Sequence, residues 1–576
     1  MRNRKSCCIF ILVTLSALFC LSAYAGEPGP PPGSFDTTEA LIQLLKEKGV
    51  IDADEAKNFL ERHRKKAKET GQIVTITSPD DQKAYLKSIS EENVQKVTKD
   101  LNNLEKDFKF RSQDLIQKNI LLGREVERLE EIVTEEQMPA LQKSSWAQRI
   151  RFGGDIRLRH ESILFNKDNS TTIEDPNDPG PTNYINATND VQHQRARLRF
   201  GVKAKVIDQT RENVGKVEVG LRVATGNVDN PVSTNHTLGH KSDSRADIIL
   251  DRAYIKWTYT PEAEIWGGKL PQAIVTGGIM ENPWLSSSLI WDSDLAFEGV
   301  AVNLKTDTLK INPFAAFLTL GYFPLEESEW TQKDKYMLGG QIGFEHRPAY
   351  GWEYKLAAAC YDYKNVSGTP IHAATSPDNE QQRQIEAMSP KFMQKGNTTF
   401  LLDQSNTPLY KDTLGLASDF KLLNLSWRLE NTLFFPIQIQ FYADWVRNLG
   451  YDPQKMADKI GLTKTEVETE SGDTGYQLGL KVGYPKPRER WEWNLSLDYR
   501  YLESDAVMDA FTDSDFNLGG TNAKGWILGG ELGIYHNLWL KAKWMTSDNI
   551  DNMDNDNTTT DDLSLDTFQF EINAAF

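Results

Sequence analysis

Ile150-Arg151-Phe152-Gly153-Gly154-Asp155-Ile156-Arg157-Leu158-Arg159-His160-Glu161 is the stretch that decides the fold of this chain. Across 149–161, one side of an extended backbone carries Ile150, Phe152, Ile156 and Leu158. The other side carries Arg149, Arg151, Asp155, Arg157, Arg159 and Glu161. Successive side chains of a strand point to opposite faces, so this ribbon is apolar on one face and strongly charged on the other. Segment 195–206 repeats the design, with Ala196, Leu198, Phe200, Val202, Ala204 and Val206 against Arg195, Arg197, Arg199, Gly201, Lys203 and Lys205.

The period of two recurs at 216–225, 250–260, 263–269, 298–305, 309–320, 338–345, 352–363, 422–432, 437–447, 475–484, 491–502, 524–535, 538–545 and 566–576. With the first two this makes sixteen segments, and fourteen or eighteen stay open as counts. Short connections (208–213, 261–262, 306–307, 347–351, 486–490, 536–537) alternate with long polar ones (162–192, 226–247, 364–412, 448–474, 504–523, 547–564). A soluble sandwich also alternates. Repeated strands with charged inner faces, joined by short turns on one side and long loops on the other, instead describe a transmembrane β-barrel. Aromatic residues fall where interfacial girdles need them, at Trp257 and Tyr259, Trp445, Tyr476 and Tyr484, Tyr499 and Tyr501, and Trp544.

The start of the chain reads as an export signal, 1–25. Arg2, Arg4 and Lys5 precede an apolar run from Cys7 to Leu21, and Ala23-Tyr24-Ala25 supplies a small-x-small cleavage pattern. Removing those three cations takes the net charge from −17 to −20, too acidic for a general nucleic-acid binder. Cys360 is then the one cysteine left, which excludes an internal disulfide framework. After the signal come a Pro/Gly-rich spacer (26–35) and a helical hairpin (36–70). A coiled-coil helix at 82–138 follows, with a seam of Val94, Val97, Leu101, Leu104 and Phe108, resuming as Leu115, Asn119, Leu122, Val126, Leu129 and Val133. An amphipathic helix lying on the barrel is the alternative for that segment. The barrel occupies 146–576 and the helices lie in the periplasm.

The C-terminal Phe568-Gln569-Phe570-Glu571-Ile572-Asn573-Ala574-Ala575-Phe576 resembles the signal by which outer-membrane barrels engage their assembly machinery, carried here by Phe568, Phe570, Ile572 and Phe576. The motifs at 150–159 and 194–201, Trp266-Gly267-Gly268-Lys269, Trp291-Asp292-Ser293-Asp294-Leu295 and Glu298-Gly299-Val300-Ala301 resemble the "putative porin" family of Gram-negative bacteria. That resemblance implies a barrel and a pore, and no particular solute.

About sixteen strands leave an aqueous channel, so function rests on what narrows it. The expected constriction loop is 270–293, rich in Gly and Ser, with Glu281, Trp284, Trp291, Asp292 and Asp294 on it or beside it. Facing it, Arg151, Arg157, Arg159, Arg195, Arg197, Arg199, Lys203 and Lys205 form a basic pore-lining ladder, which predicts mild anion preference. Pairing of those arginines with lumen acids is the competing expectation. Neither a catalytic constellation nor a metal or cofactor motif is present: His236 and His240 lack a helix to align them, and Asp548, Asp551, Asp554 and Asp556 lack the closing Glu of a calcium loop. The expected partners are membrane lipid, lipopolysaccharide, the barrel-assembly machinery and two further copies in a homotrimer, with possible peptidoglycan contact by the N-terminal helices. An envelope tether with the barrel as anchor is the rival reading.

Overall fold

The computed structural model describes residues 147–171, 173, 184–207, 215–239, 245–260, 264–265, 268–269, 271–306, 314–328, 333–347, 351–372, 379–405, 413–551 and 562–576. The signal, spacer, hairpin and coiled coil expected at 1–138 lie outside these residues, as do His240, Asp554 and Asp556. The chain divides into units 1–134 and 135–576, and the described residues belong to the second.

Sixteen long strands form one sheet: β1 (Ile150–Phe165), β2 (Val191–Ile207), β3 (Lys216–Thr225), β4 (Ile248–Tyr259), β5 (Gln272–Met280), β6 (Phe297–Lys305), β7 (Phe314–Glu326) and β8 (Lys335–His346), then β9 (Trp352–Lys364), β10 (Lys421–Asn431), β11 (Gln438–Asn448), β12 (Thr474–Gly483), β13 (Trp493–Leu502), β14 (Ala523–Tyr535), β15 (Leu538–Asn549) and β16 (Ser564–Ala575). Each pairs antiparallel with its sequence neighbours, and β1 pairs with both β2 (Ile156↔Leu198) and β16 (Ile156↔Ala574). The sheet is therefore a closed cylinder without an edge, as a membrane demands, because hydrocarbon offers no partner to an open N–H or C=O. Phe576 completes the seam, exchanging both backbone hydrogen bonds with Gly154 at 3.0 Å.

The outer face carries the apolar half of each alternation: Phe152, Ile156 and Leu158 on β1, Leu338, Ile342 and Phe344 on β8, Leu495 and Leu497 on β13, and Phe568, Phe570 and Ile572 on β16 are all exposed. Expected assembly-signal residues thus form part of the lipid belt. Aromatic pairs ring both ends. Trp257 stacks near Tyr259 at the short-turn end, and Tyr476–Tyr501, Tyr499–Trp526 and Trp544–Phe568 pair at the long-loop end, with centroids 4.9–6.3 Å apart. Arg157, Arg159, Glu161, Asp444, Asp498 and Arg500 point inward and are buried.

Two strands depart from the sequence expectation. The fifth stave is Gln272–Met280 rather than 263–269, whose residues 264–265 and 268–269 form only a two-residue ladder. Thr276, Gly277 and Gly278 blur the apolar alternation there, so the segment reads as loop. They have a packing reason: at Gly278 (φ +116°) an added Cβ would lie 2.2 Å from the Ala253 carbonyl oxygen, so this close approach of β4 and β5 requires glycine. The seventh stave runs Phe314–Glu326 rather than 309–320. Pro313 precedes its start, and a register shift between Pro324 and Glu326 accommodates the ring nitrogen that cannot donate.

Lipid-facing and lumen-facing neighbours should respond oppositely to charge. Leu497→Arg should lower the unfolding free energy in lipid vesicles by about 2–4 kcal/mol. Ser496→Arg, one residue along on the inner face, should stay within about 0.5 kcal/mol of the parent. Urea titration in vesicles measures both, and equal penalties would contradict the assigned faces.

Candidate pore constriction

Between β5 and β6 the chain does not remain outside the cylinder. Residues 281–296 fold into the lumen and bind the wall opposite. The Leu285 amide donates to Gln341 Oε1 on β8, and Gln341 Nε2 donates back to the Leu285 carbonyl, both at 2.8 Å. The Ser287 amide donates to Asp444 on β11 at 2.8 Å, and Arg500 on β13 donates to Ser288 Oγ at 2.6 Å. Trp284 wedges between Phe323 and Tyr361, with ring centroids 6.1 and 5.2 Å away. Its socket is cut by glycine: an added Cβ on Gly339 would meet the indole at 2.5 Å. Trp291 packs against the other side of Tyr361, and Leu289 and Ile290 are fully buried. The expected constriction segment 270–293 is thereby corrected at its start, since 272–280 is barrel wall; the inward part begins at Glu281, which stays exposed where β5 ends.

The basic ladder divides in two. Arg151, Lys203 and Lys205 stand near the short-turn end, Arg151 directly across from Lys203, and Arg151 and Lys203 are exposed. Deeper in, each arginine meets carboxylates. Arg197 reaches Asp155 (2.9 Å) and Asp294 (3.3 Å), and Arg199 reaches the same two at 2.8 and 3.5 Å. Arg159 contacts Glu571 (2.6 Å) and Asp515 (2.8 Å), Arg157 lies 3.7 Å from Glu571 and 4.0 Å from Asp294, and Arg195 pairs with Glu161 at 3.0 Å. The pairing alternative weighed from sequence is the geometry observed for these arginines. Burial alone would raise the Asp294 carboxyl, yet Arg197, Arg157 and Arg199 together hold it below the usual carboxylate range. Asp292 faces the other way. Burial, with Asp513 and Asp294 close by, pushes it up to about 8, while it accepts from the Ser514 amide at 2.8 Å.

Two further segments enter the mouth, and sequence reasoning left both as external polar loops. Residues 503–522, between β13 and β14, bury Ala506, Val507, Met508 and Phe516 and send Asp513 to Arg500 (3.0 Å) and Asp515 to Arg159. Between β9 and β10, the described residues 379–405 include α1 (Asn379–Met388) and reach from the wall to the 503–522 segment. At one side Lys335 donates to the Ser389 carbonyl (2.9 Å), and at the other Asn397 Nδ2 donates to the carbonyls of Ser504 (2.6 Å) and Val507 (2.8 Å). Thr398 clasps Asp505 through its amide (3.1 Å) and hydroxyl (2.6 Å). The available signal was the scattered apolar residues Phe392, Met393, Val507 and Met508, too irregular for either period.

A closed sixteen-strand cylinder with an apolar outer belt, a charged inner wall and an inward-folded loop defines a bacterial outer-membrane diffusion channel. The family described as "Putative porin" matches residues 35–576, and the chain belongs to it. The protein is an outer-membrane porin. Solved structures similar in fold include the high-pH structure of Pseudomonas putida OprB (10% identity, 76% of this chain and 97% of that chain, TM-score 0.40) and the anion-selective porin of Comamonas acidovorans (9%, 74% and 99%, 0.38). The outer membrane channel DcaP of Acinetobacter baumannii is another (9%, 74% and 97%, 0.36). No curated protein sequence matches the chain. The family match alone carries the assignment, and it lends nothing to the tether reading.

The clasp between the two mouth segments should loosen as pH rises. Burial pushes Asp505 up to about 6 and Asp509 up to about 7. A carboxyl with a raised folded pKa holds its proton more tightly in the folded state. Its contribution is therefore full below about pH 4 and is lost as pH climbs through 6 and 7. Hydrogen–deuterium exchange across 503–512, corrected for intrinsic rates, should speed up between pH 5 and pH 8. Asp505→Asn should flatten that dependence, and an unchanged profile would refute the assignment.

Proposed function

We propose that small hydrophilic solutes and ions diffuse passively through this barrel past a constriction formed by residues 281–296. The supporting observation is the polar anchoring of that loop across the lumen to Gln341, Ser426, Asp444 and Arg500. A sixteen-strand cylinder is wide enough for an aqueous bore, which an inward loop narrows. Charges along the narrowed path set ion preference by focusing the field. Arg151, Lys203 and Lys205 at the inner mouth favour anions, and the paired arginines above them hold the loop. Glu281, Trp284, Trp291, Asp292 and Asp294 belong to the constriction, the tryptophans as wedges and Asp294 as the tie to the wall.

We also propose a homotrimer. On the outer face of β1 and β2, His160 lies 2.6 Å from Gln194 and 3.1 Å from Ser162, in register with the lipid-facing Phe568 and Phe570. Exposed side-chain polar groups are costly against hydrocarbon, and a neighbouring copy would cover them. Assembly at the outer membrane through the C-terminal Phe568, Phe570, Ile572 and Phe576, surrounded by lipid and lipopolysaccharide, belongs to the same reading. Periplasmic helices at 36–70 and 82–138 that meet in a coil and contact peptidoglycan complete it.

Planar-bilayer recording tests the pore. The parent should give discrete unitary steps with a reversal potential favouring chloride over potassium, and Trp284→Ala should enlarge the steps by freeing the loop from its socket. No conductance, or clear cation selectivity, would overturn the respective claim. Light scattering on the detergent-purified protein should give three chains per particle, and the double change His160→Leu, Gln194→Leu should shift it toward one. A monomeric parent would sink the trimer.

A further inference from the structure

Above the paired arginines, a cavity of about 380 Å³ opens between the wall and the two mouth segments. Its size falls within the roughly 300–1,000 Å³ of small-molecule sites. The lining has an unusual charge balance for so acidic a chain. It contains Arg195 and Lys395, and among its described lining residues there is no Asp or Glu.

Arg195 is held by Glu161 at 3.0 Å, and its Nε is buried without a hydrogen-bond partner. Lys395 has less. Among the described residues no hydrogen bond or ion pair reaches its ammonium group, and the carboxylate acting on it from a distance is Asp509. Its interior position pushes the ammonium down to about 7. Around these cations stand side-chain amides. Asn227 and Asn230 spend their carbonyl oxygens inside their own loop, on the amides of Asp229 and Val232 (each 3.1 Å), which leaves their N–H groups for something else. Phe392 contributes a flat apolar face. A cation in this interior position without a paired carboxylate is costly. The N–H groups of exposed Asn227 and half-buried Asn230 are open to a ligand.

We infer that this cavity is a recognition site in the outer mouth for small polyhydroxylated carboxylates of the sugar-acid kind, the carboxylate taken by Lys395 and Arg195 and the hydroxyls by Asn227 and Asn230. Lys395 without a paired carboxylate, beside an Arg195 that Glu161 already holds, draws negative charge, amide donors select hydroxyl oxygens, and the ring of Phe392 accepts the carbon face of the ligand. The site lies at the outer opening, so a captured anion is released toward the constriction below. The inference rests on the porin reading above and names its solute class.

Gluconate, with glucose as the neutral control, probes the site in planar bilayers at low ionic strength, where charge recognition is least screened. Gluconate added on the long-loop side should interrupt the ion current at concentrations where glucose does not. Lys395→Gln should raise the half-blocking concentration about tenfold, the loss expected for one charge-assisted hydrogen bond, and Lys395→Arg should restore block. Asn230→Asp places an acid on the lining and should also weaken block, which keeps the test alive if the lysine variant does not insert. Steps that gluconate and glucose affect equally, or block untouched by both Lys395→Gln and Asn230→Asp, would overturn the site and leave the porin standing. Absence of any steps would overturn the porin reading itself.

Discussion

The closure of β1 on β16 is the constraint from which the rest follows. In hydrocarbon every backbone donor and acceptor must be paired within the protein, and a sheet achieves this only as a complete cylinder. Closure requires the last residue, Phe576, to sit beside Gly154, where an added Cβ would run 2.4 Å from the Arg199 carbonyl and 2.7 Å from the phenylalanine ring. Once the cylinder exists, half of each strand faces lipid and half faces inward. The charged clusters of β1 and β2 are directed to the lumen, while outward charges such as Asp362, Lys364 and Arg447 sit at the long-loop ends of their strands.

That concentration of charge shapes the interior. Arg157, Arg159, Arg197 and Arg199 stand on two adjacent strands, and their like charges need partners. Those partners arrive from strands and loops alike: Asp155 and Glu571 from the wall, Asp294 from the inward loop and Asp515 from the segment before β14. Removing one member of such a buried pair leaves a stranded charge at a cost of about 3–5 kcal/mol. The same contacts that neutralise the wall therefore fix where the loops can lie. The apolar seat of Trp284 and Trp291 around Tyr361 adds hydrophobic anchoring to the electrostatic one.

The mouth is a different environment. The crossing segment is tied by hydrogen bonds through Asn397 and Thr398, beside the Asp505 and Asp509 carboxyls that burial raises above their usual range. Such ties are weaker and depend on pH, so the part of the molecule that solutes meet first is also the part most open to adjustment. Lys395 belongs to this layer rather than to the salt-bridged one beneath it.

The chain's own pattern was enough for the barrel, for about sixteen staves with fourteen and eighteen still open, for its inner and outer faces and for the terminal aromatic strand, because a period of two is a local property that each strand displays alone. It misplaced the fifth stave, where Gly277 and Gly278 erase the alternation for the sake of a close approach to β4. It grouped Trp284, Trp291 and Asp294 on or beside one loop, which folds inward, and it could not say which carboxylate meets which arginine. Those pairings, the entry of 379–405 and 503–522 into the mouth and the acid-free described lining around Lys395 depend on residues up to 412 positions apart, as with Arg159 and Glu571. Only the closed cylinder brings them together, since contacts across a lumen leave no periodic trace in the sequence.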